Sequence, residues 1–407
     1  MWESSAVTPW SRRVAGAAIA LGSLTSAGPA GAGTTSTLAP ITVSFVSARV
    51  GWVLGARPCA ARSYCLGLAR TTDGGRNWSA VTLPTPLASP QRTDPVARAV
   101  PGLSLTVASA GTAWLYGATT TSGGDVTTAI PLWSTFDGGR HWVAVSLRTL
   151  GLTAVAAMSV RGTTAYVVGW TSTGVALVRT APVGSSRWSP APLPRLDLPA
   201  GGGEGLADFV DAPGRTWLVV GNDRGVSAGA SVSGTGPWRS WTGACHAVGD
   251  SYSVPVALTA TRMLATCVMG GFASPLSPRA PTGASLGSQW LYQSSDGGRT
   301  FTAVAPIPSR PFSALVPIPG VPAAPAPGVI VAGGGIGANA TPALLRSADG
   351  GRTWRAVLAR PVVQADFPGS RVGYAIALDG TTRGLLTSHD AGAHWSALPV
   401  RLPNVAN

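Results

Sequence analysis

Lysine is absent from this chain, and all 29 basic residues among its 407 are arginine. Glutamate is nearly absent, with only Glu3 and Glu204. There are just four His, four Cys and four Met, and charged residues make up 11% of the sequence. Each shortage removes a class of function. The histidines, His141, His246, His389 and His394, follow no ligand spacing, so neither a metal nor another cofactor is expected. Two Glu and 14 Asp leave few carboxylates for paired acid–base hydrolysis. The arginines form no basic run, so the net charge of +13 reads as a solvated surface, and no nucleic-acid partner is expected. Beyond the N-terminus no apolar run reaches the length that spans a bilayer, and a monomer is expected.

The N-terminus has its own character. Arg12 and Arg13 precede a mild apolar run from Val14 to about Leu24, and small residues follow through Ala30 and Ala32. This reads as a secretory signal over residues 1–32, which places the protein outside the cell or in the cell envelope. In that oxidising setting an even cysteine count suits two disulfides. Cys59 and Cys65 are near neighbours, and Cys245 and Cys267 remain. Chain-entropy reasoning values such bridges at roughly 2 and 3 kcal/mol.

What the chain has in quantity is glycine, 53 residues, and a repeat. Thr71-Thr72-Asp73-Gly74-Gly75-Arg76-Asn77-Trp78 recurs as Thr135–Trp142, Ser294–Phe301, Ser347–Trp354 and, with changes, Ser388–Trp395. The shared pattern is Ser/Thr-x-Asp-x-Gly-x-polar-aromatic. An Asp side chain can bond backbone N–H groups two residues on and close a tight turn. The following Gly suits the positive φ of a hairpin turn, and the aromatic residue opens the next strand. Asp73, Asp137, Asp296, Asp349 and Asp390 are therefore expected to be structural.

The motif resembles the Asp-box, or BNR repeat, of sialidase-like β-propellers. A second theme lies between the boxes: an apolar residue, a few turn residues, then Gly and a hydrophobic run, as in Phe45 through Gly51-Trp52 to Gly55. Two further units keep this theme without a good box, ending at Trp188 and Trp238. Seven units at steps of about 41 to 64 residues fit an all-β, seven-bladed β-propeller of four-stranded antiparallel blades with Asp-box hairpin turns. The propeller is expected over 41–400, with blades at about 41–84, 100–148, 151–193, 204–242, 252–307, 312–361 and 362–400. Strandless insertions are expected at about 85–99, 118–130, 272–288 and 319–327, the last a Pro/Ala-rich loop.

The layout separates two faces. Turns joining first to second and third to fourth strands share one face, and this face includes every box. Second-to-third loops and the crossovers between blades share the other, where both expected disulfides fall. Loops on a rigid scaffold commonly carry binding. The possible binding face is accordingly assigned to Arg57, Arg62, Tyr64, Arg224 and Arg279.

A sialidase resemblance implies an arginine cluster, an acid and a tyrosine activated by glutamate. The N-terminal Arg-Ile-Pro type of motif is missing, since blade 1 offers only Arg49 and Arg57-Pro58. The acidic group left over is Glu204, Asp208 and Asp211. The combined frame of Phe45, Gly51-Trp52, Gly55, Thr71-Thr72-Asp73-Gly74-Gly75 and Trp78 also resembles the photosystem II assembly-factor family and its bacterial relatives. That resemblance implies a non-catalytic propeller that binds proteins. The expectation is a secreted binding or assembly module for a protein or glycan of the cell envelope, with no catalytic residues. A sialidase-like glycoside hydrolase is the alternative.

Overall fold

The computed structural model of the chain describes residues 35–60, 63–88, 91–92, 102–120, 127–193, 207–212, 214–222, 225–233, 236–242, 245, 249–250, 255–269, 278–286, 288–308, 323–326, 328–336, 341–380 and 382–403. The N-terminal stretch 1–32 lies outside them. Seven antiparallel sheets succeed one another, each made from one continuous piece of chain. In the first, Ala39–Phe45, Gly51–Ala60, Ser63–Thr71 and Ser79–Val81 pair in sequence order. The other six occupy 102–145, 154–190, 207–241, 249–307, 323–358 and 362–397. The result is a seven-bladed β-propeller of four-stranded antiparallel blades.

Period-two burial produces this packing. Along the first strand of blade 2, Leu103, Leu105 and Val107 are buried while Ser104 and Thr106 are half-buried. The hydrophobic core lies between blades. Leu54, Leu66 and Leu68 of blade 1 meet Leu103, Leu105 and Leu115 of blade 2 in one cluster. Trp52, Trp114, Trp217 and Tyr374 in the second strands are fully buried, each stabilising on the order of 3 kcal/mol. Tyr166, in the same slot of blade 3, is only half-buried.

The five aspartate turns share one hydrogen-bond set. In blade 6 the Ser347 hydroxyl donates to Asp349 Oδ1 at 2.7 Å and accepts the Gly351 N–H at 2.8 Å. Asp349 Oδ1 also accepts the N–H groups of Arg352 and Thr353, and its Oδ2 accepts the Thr353 hydroxyl at 2.6 Å. The carboxylate thus reaches three and four residues ahead, not two. The third and fourth residues need free N–H groups, and the fourth supplies a polar side chain: Asn77, His141, Thr300, Thr353 or His394. The residue after the Asp is tied to the first-to-second turn of the same blade. Gly74 N–H donates to Arg49 O, Gly138 to Gly111 O, Gly297 to Thr261 O, Gly350 to Gly328 O and Ala391 to Arg371 O. Both turn types therefore sit on one face.

The second glycine of each turn works between blades. A Cβ on Gly139, at φ 84°, would come within 2.0 Å of Val81 Cγ1 on blade 1. One on Gly351, at φ 92°, would come within 2.1 Å of Leu291 Cδ2 on blade 5. Glycine is required there both for its left-handed backbone and for the close approach of the neighbouring blade.

Three stretches expected to be strandless contain regular structure. Thr85–Ala88 forms one helical turn, and Gln91–Arg92 adds an edge to the third strand of blade 1. Thr127–Ala129 pairs with an extension of Ala113–Thr120. The Pro/Ala-rich segment is not a loop, because Ala323–Ala326 is the first strand of blade 6. A first strand has one edge facing the bore, where no ladder bond is made, so Pro325 is tolerated.

These turns should govern stability. Ser347→Ala is expected to lower the unfolding free energy by about 1–2 kcal/mol in denaturant titration, because it leaves the Gly351 N–H without its acceptor. Hydrogen bonds, first from the Asn77 N–H, hold the Asp73 carboxyl at about 2, below its ordinary 3.8. A lowered acid contributes fully above its unfolded value and loses that contribution as the pH falls through the folded one. The denaturant midpoint should therefore drop as pH falls from about 4 to about 2, and Asp73→Asn should flatten part of that drop.

Candidate functional site

Sequence reasoning assigned binding to the face away from the aspartate turns. In blade 1, Thr71 pairs with Gly51 at the turn end, while Arg57 pairs with Cys65 and Pro58 with Tyr64 at the opposite end. Arg57 and Tyr64 thus lie at the loop face, though neither is a free rim residue. Arg57 donates to Ser36 Oγ at 3.2 Å and holds the N-terminal strand. Tyr64 is half-buried against the cluster containing Leu66 and Leu87, and burial raises its hydroxyl pKa. Cys65 is disulfide-bonded, and the side chain of Cys59 lies outside the described residues. Arg62 and Arg224 lie outside them as well.

The loop face is built most firmly at blade 5. Cys245, in the crossover from blade 4, is bonded to Cys267 near the far end of the second strand, with Cα atoms 5.4 Å apart. The bridge is buried with Met269, Trp290 and Tyr292. Ala280 and Ala284 of the second-to-third loop pack on that cluster, and Met269 N–H donates to Ser288 O at 2.9 Å. Exposed Arg279 stands beside Ala280. Leu286, in the same loop, is 55% exposed, and Val175, in the second-to-third turn of blade 3, is 53% exposed. These are the two most exposed large apolar side chains among the described residues, and both stand on the loop face.

The bore is polar. Ser44 accepts the Val107 N–H from blade 2. Asp211 accepts the hydroxyls of Ser159 and Thr216, and burial pushes its pKa up. Gln364 of blade 7 accepts the Val43 N–H at 3.1 Å and donates to Val43 O at 2.7 Å, and Asp366 Oδ2 accepts the Phe45 N–H at 3.0 Å. Sequence reasoning missed these residues. A signal was present: Ser44, Thr106 and Asp366 each directly precede the apolar residue that opens the second theme. It also missed Arg70 and Arg346, placed directly before a turn, which donate to Ala110 O and Ala391 O of the next blade.

Tyr116 is the tyrosine that approaches the acidic group. Its hydroxyl lies 3.3 Å from Thr106 Oγ1. Burial, with a further contribution from the Asp208 charge, raises its pKa. A nucleophilic tyrosine needs the opposite shift. Asp208 and Asp211 both sit on the first strand of blade 4, and Glu204 lies outside the described residues. No group of three metal-ligating side chains occurs among the described residues, and no helix there is long and apolar enough to cross a membrane.

No family model matches the chain, and no curated protein matches it. Solved structures do. The chain is similar to YCF48 bound to D1 peptide, at 16% identity over 89% of this chain and 98% of that one, with a TM-score of 0.54. It is similar to the BP39L lectin of Burkholderia pseudomallei, at 12% identity over 91% and 100%, with a TM-score of 0.52. The sialidase of Trypanosoma rangeli in complex with the inhibitor DANA is more distant, at 10% identity over 71% and 54%, with a TM-score of 0.40. Identities this low establish a shared propeller fold and no shared chemistry.

Removing the blade-5 bridge tests how the loop face is held. The pair Cys245→Ala and Cys267→Ala, which opens a loop spanning 22 positions, should cost about 3 kcal/mol of unfolding free energy. Limited proteolysis should then cut first at the exposed residues of 278–286.

Proposed function

We propose that the protein is a secreted, non-enzymatic propeller that binds a protein or glycan of the cell envelope through its loop face. Its aspartate turns are Asp-boxes of the BNR type and act as blade staples. The observation that carries this reading is the exposed Leu286 on the blade-5 loop that the buried Cys245–Cys267 bridge stiffens, with Val175 exposed on the same face at blade 3. Apolar groups displayed on a rigid frame lose little conformational entropy when a partner covers them. The two partner classes are supported by the neighbours, one solved with a peptide and one a lectin. Export is supported by the N-terminal Arg12-Arg13 and apolar run and by the disulfide chemistry. The five turn aspartates are supported as structural because their carboxylates are engaged within their own turns.

The reading is tested on the full chain against arrayed envelope glycans and purified envelope proteins. Leu286→Glu with Val175→Glu should weaken binding at least tenfold with little change in Tm, because both residues are exposed. Binding that ignores both substitutions would move the contact surface elsewhere. Sialoside turnover that disappears in Tyr116→Phe would replace this reading with the hydrolase.

A further inference from the structure

We propose that the seam between the first and last blades is a proton-operated latch at which the ring opens toward its bore. Every blade is a continuous piece of chain, so no strand is exchanged across this seam. It is closed by side chains instead: Val43, Phe45, Val53 and Ala69 of blade 1 share one buried apolar cluster with Tyr374, Ile376 and Leu385 of blade 7, and polar contacts edge that cluster. Thr35–Thr37 pairs with Arg401–Pro403 in a two-stranded clasp. The Phe45 and Tyr374 rings stack in parallel, and the Tyr374 hydroxyl donates to Ala48 O at 2.9 Å. The inner edge is held by Gln364 on both polar groups of Val43 and by Asp366 on the Phe45 N–H. The Val43 and Phe45 N–H groups point away from their own blade, and these blade 7 side chains are their acceptors.

Asp366 is the titrating part. Burial raises its carboxyl pKa to about 6, against the stabilising N–H groups of Phe45 and Phe367. Its ordinary value is 3.8, so the closed seam favours the protonated form. Closure is strongest below the ordinary value and weakens as pH rises through about 6. The other titratable group facing it is Tyr374, pushed up to about 12 by burial and then by the Asp366 charge, so that hydroxyl keeps its proton across this range. The first strand of blade 1 offers no charged side chain. Arg49 and Arg371, in the adjoining turns, are exposed. Arg383 of blade 7, across from Leu378, also crosses the seam: its guanidinium donates to Ile41 O of blade 1 at 3.5 Å and stays charged throughout this range, so it adds a contact that does not titrate. The seam between blades 1 and 2 supplies a control. There the Val107 N–H is held by the Ser44 hydroxyl, which does not titrate in this range.

Amide hydrogen exchange on the full chain reads the latch, after correction for intrinsic rates. Between pH 4.5 and 7.5 the opening constant at Val43 and Phe45 should rise by about 25-fold, while that at Val107 stays level. Asp366→Asn, which keeps an acceptor oxygen, should remove the rise. Gln364→Ala should speed exchange at Val43 at both pH values and leave the pH dependence at Phe45 in place. A parallel rise at Val107, a rise that persists in Asp366→Asn, or loss of the Phe45 pH dependence in Gln364→Ala would overturn the proposal.

Discussion

A backbone N–H turned inward at a tight loop must find an acceptor. In five blades of this propeller the acceptor is a Ser or Thr hydroxyl shielded from water. The same hydroxyl donates to the aspartate, so the donor and acceptor of one side chain are spent inside the turn. That fixes the aspartate, which gathers the next N–H groups, and leaves the following glycine free to meet the preceding blade. The residue between them is tied to the neighbouring turn of its own blade. Blade shape and blade spacing thus depend on one small polar network. In blade 3 this network is missing, with Val183 standing where the aspartate would be.

Fixing the turns so firmly divides the molecule. One face is committed to holding blades together, and its acids are consumed by its own backbone. The opposite face carries the disulfide-braced loop of blade 5, the most exposed apolar side chains and the Thr35–Thr37 clasp strand. A carboxylate with four hydrogen bonds makes a poor catalyst but a good staple. The separation of duties explains why a chain with so few acids can place five of them in turns.

Much of this was legible in the sequence because it recurs. Five copies of one turn, and a second apolar theme between them, specify blade number and strand order through spacing alone. Where the pattern lapses the reading weakened. Ala323–Ala326 looks like a loop because Pro and Ala are poor strand formers, yet an inner strand needs only one paired edge. The inner-strand positions left a local signal, but their partners were illegible for another reason. Gln364 and Asp366 act on Val43 and Phe45, 321 positions away, and no local pattern announces a contact at that range. Tyr64 and Arg57 were read as loop residues, whereas both lie in the longer paired ends of the second and third strands, where neighbouring elements engage them.

Those long-range contacts matter because of how the ring closes. A linear stack of seven blades has six interfaces, each between sequence neighbours, and its stability grows roughly as their sum. The seventh interface joins residues 321 positions apart, and for a flexible chain its closure would cost about 5 kcal/mol. Blades already packed in an arc lower that cost, since the arc brings the ends near each other. The seam must then be strong enough to close the ring without being as strong as a shared strand. A buried apolar cluster shared by blades 1 and 7, edged by side-chain acceptors on backbone donors and a three-residue clasp, suits that requirement. Placing a carboxylate in this joint makes its strength depend on protonation, whereas the joint at Ser44 next to it stays constant.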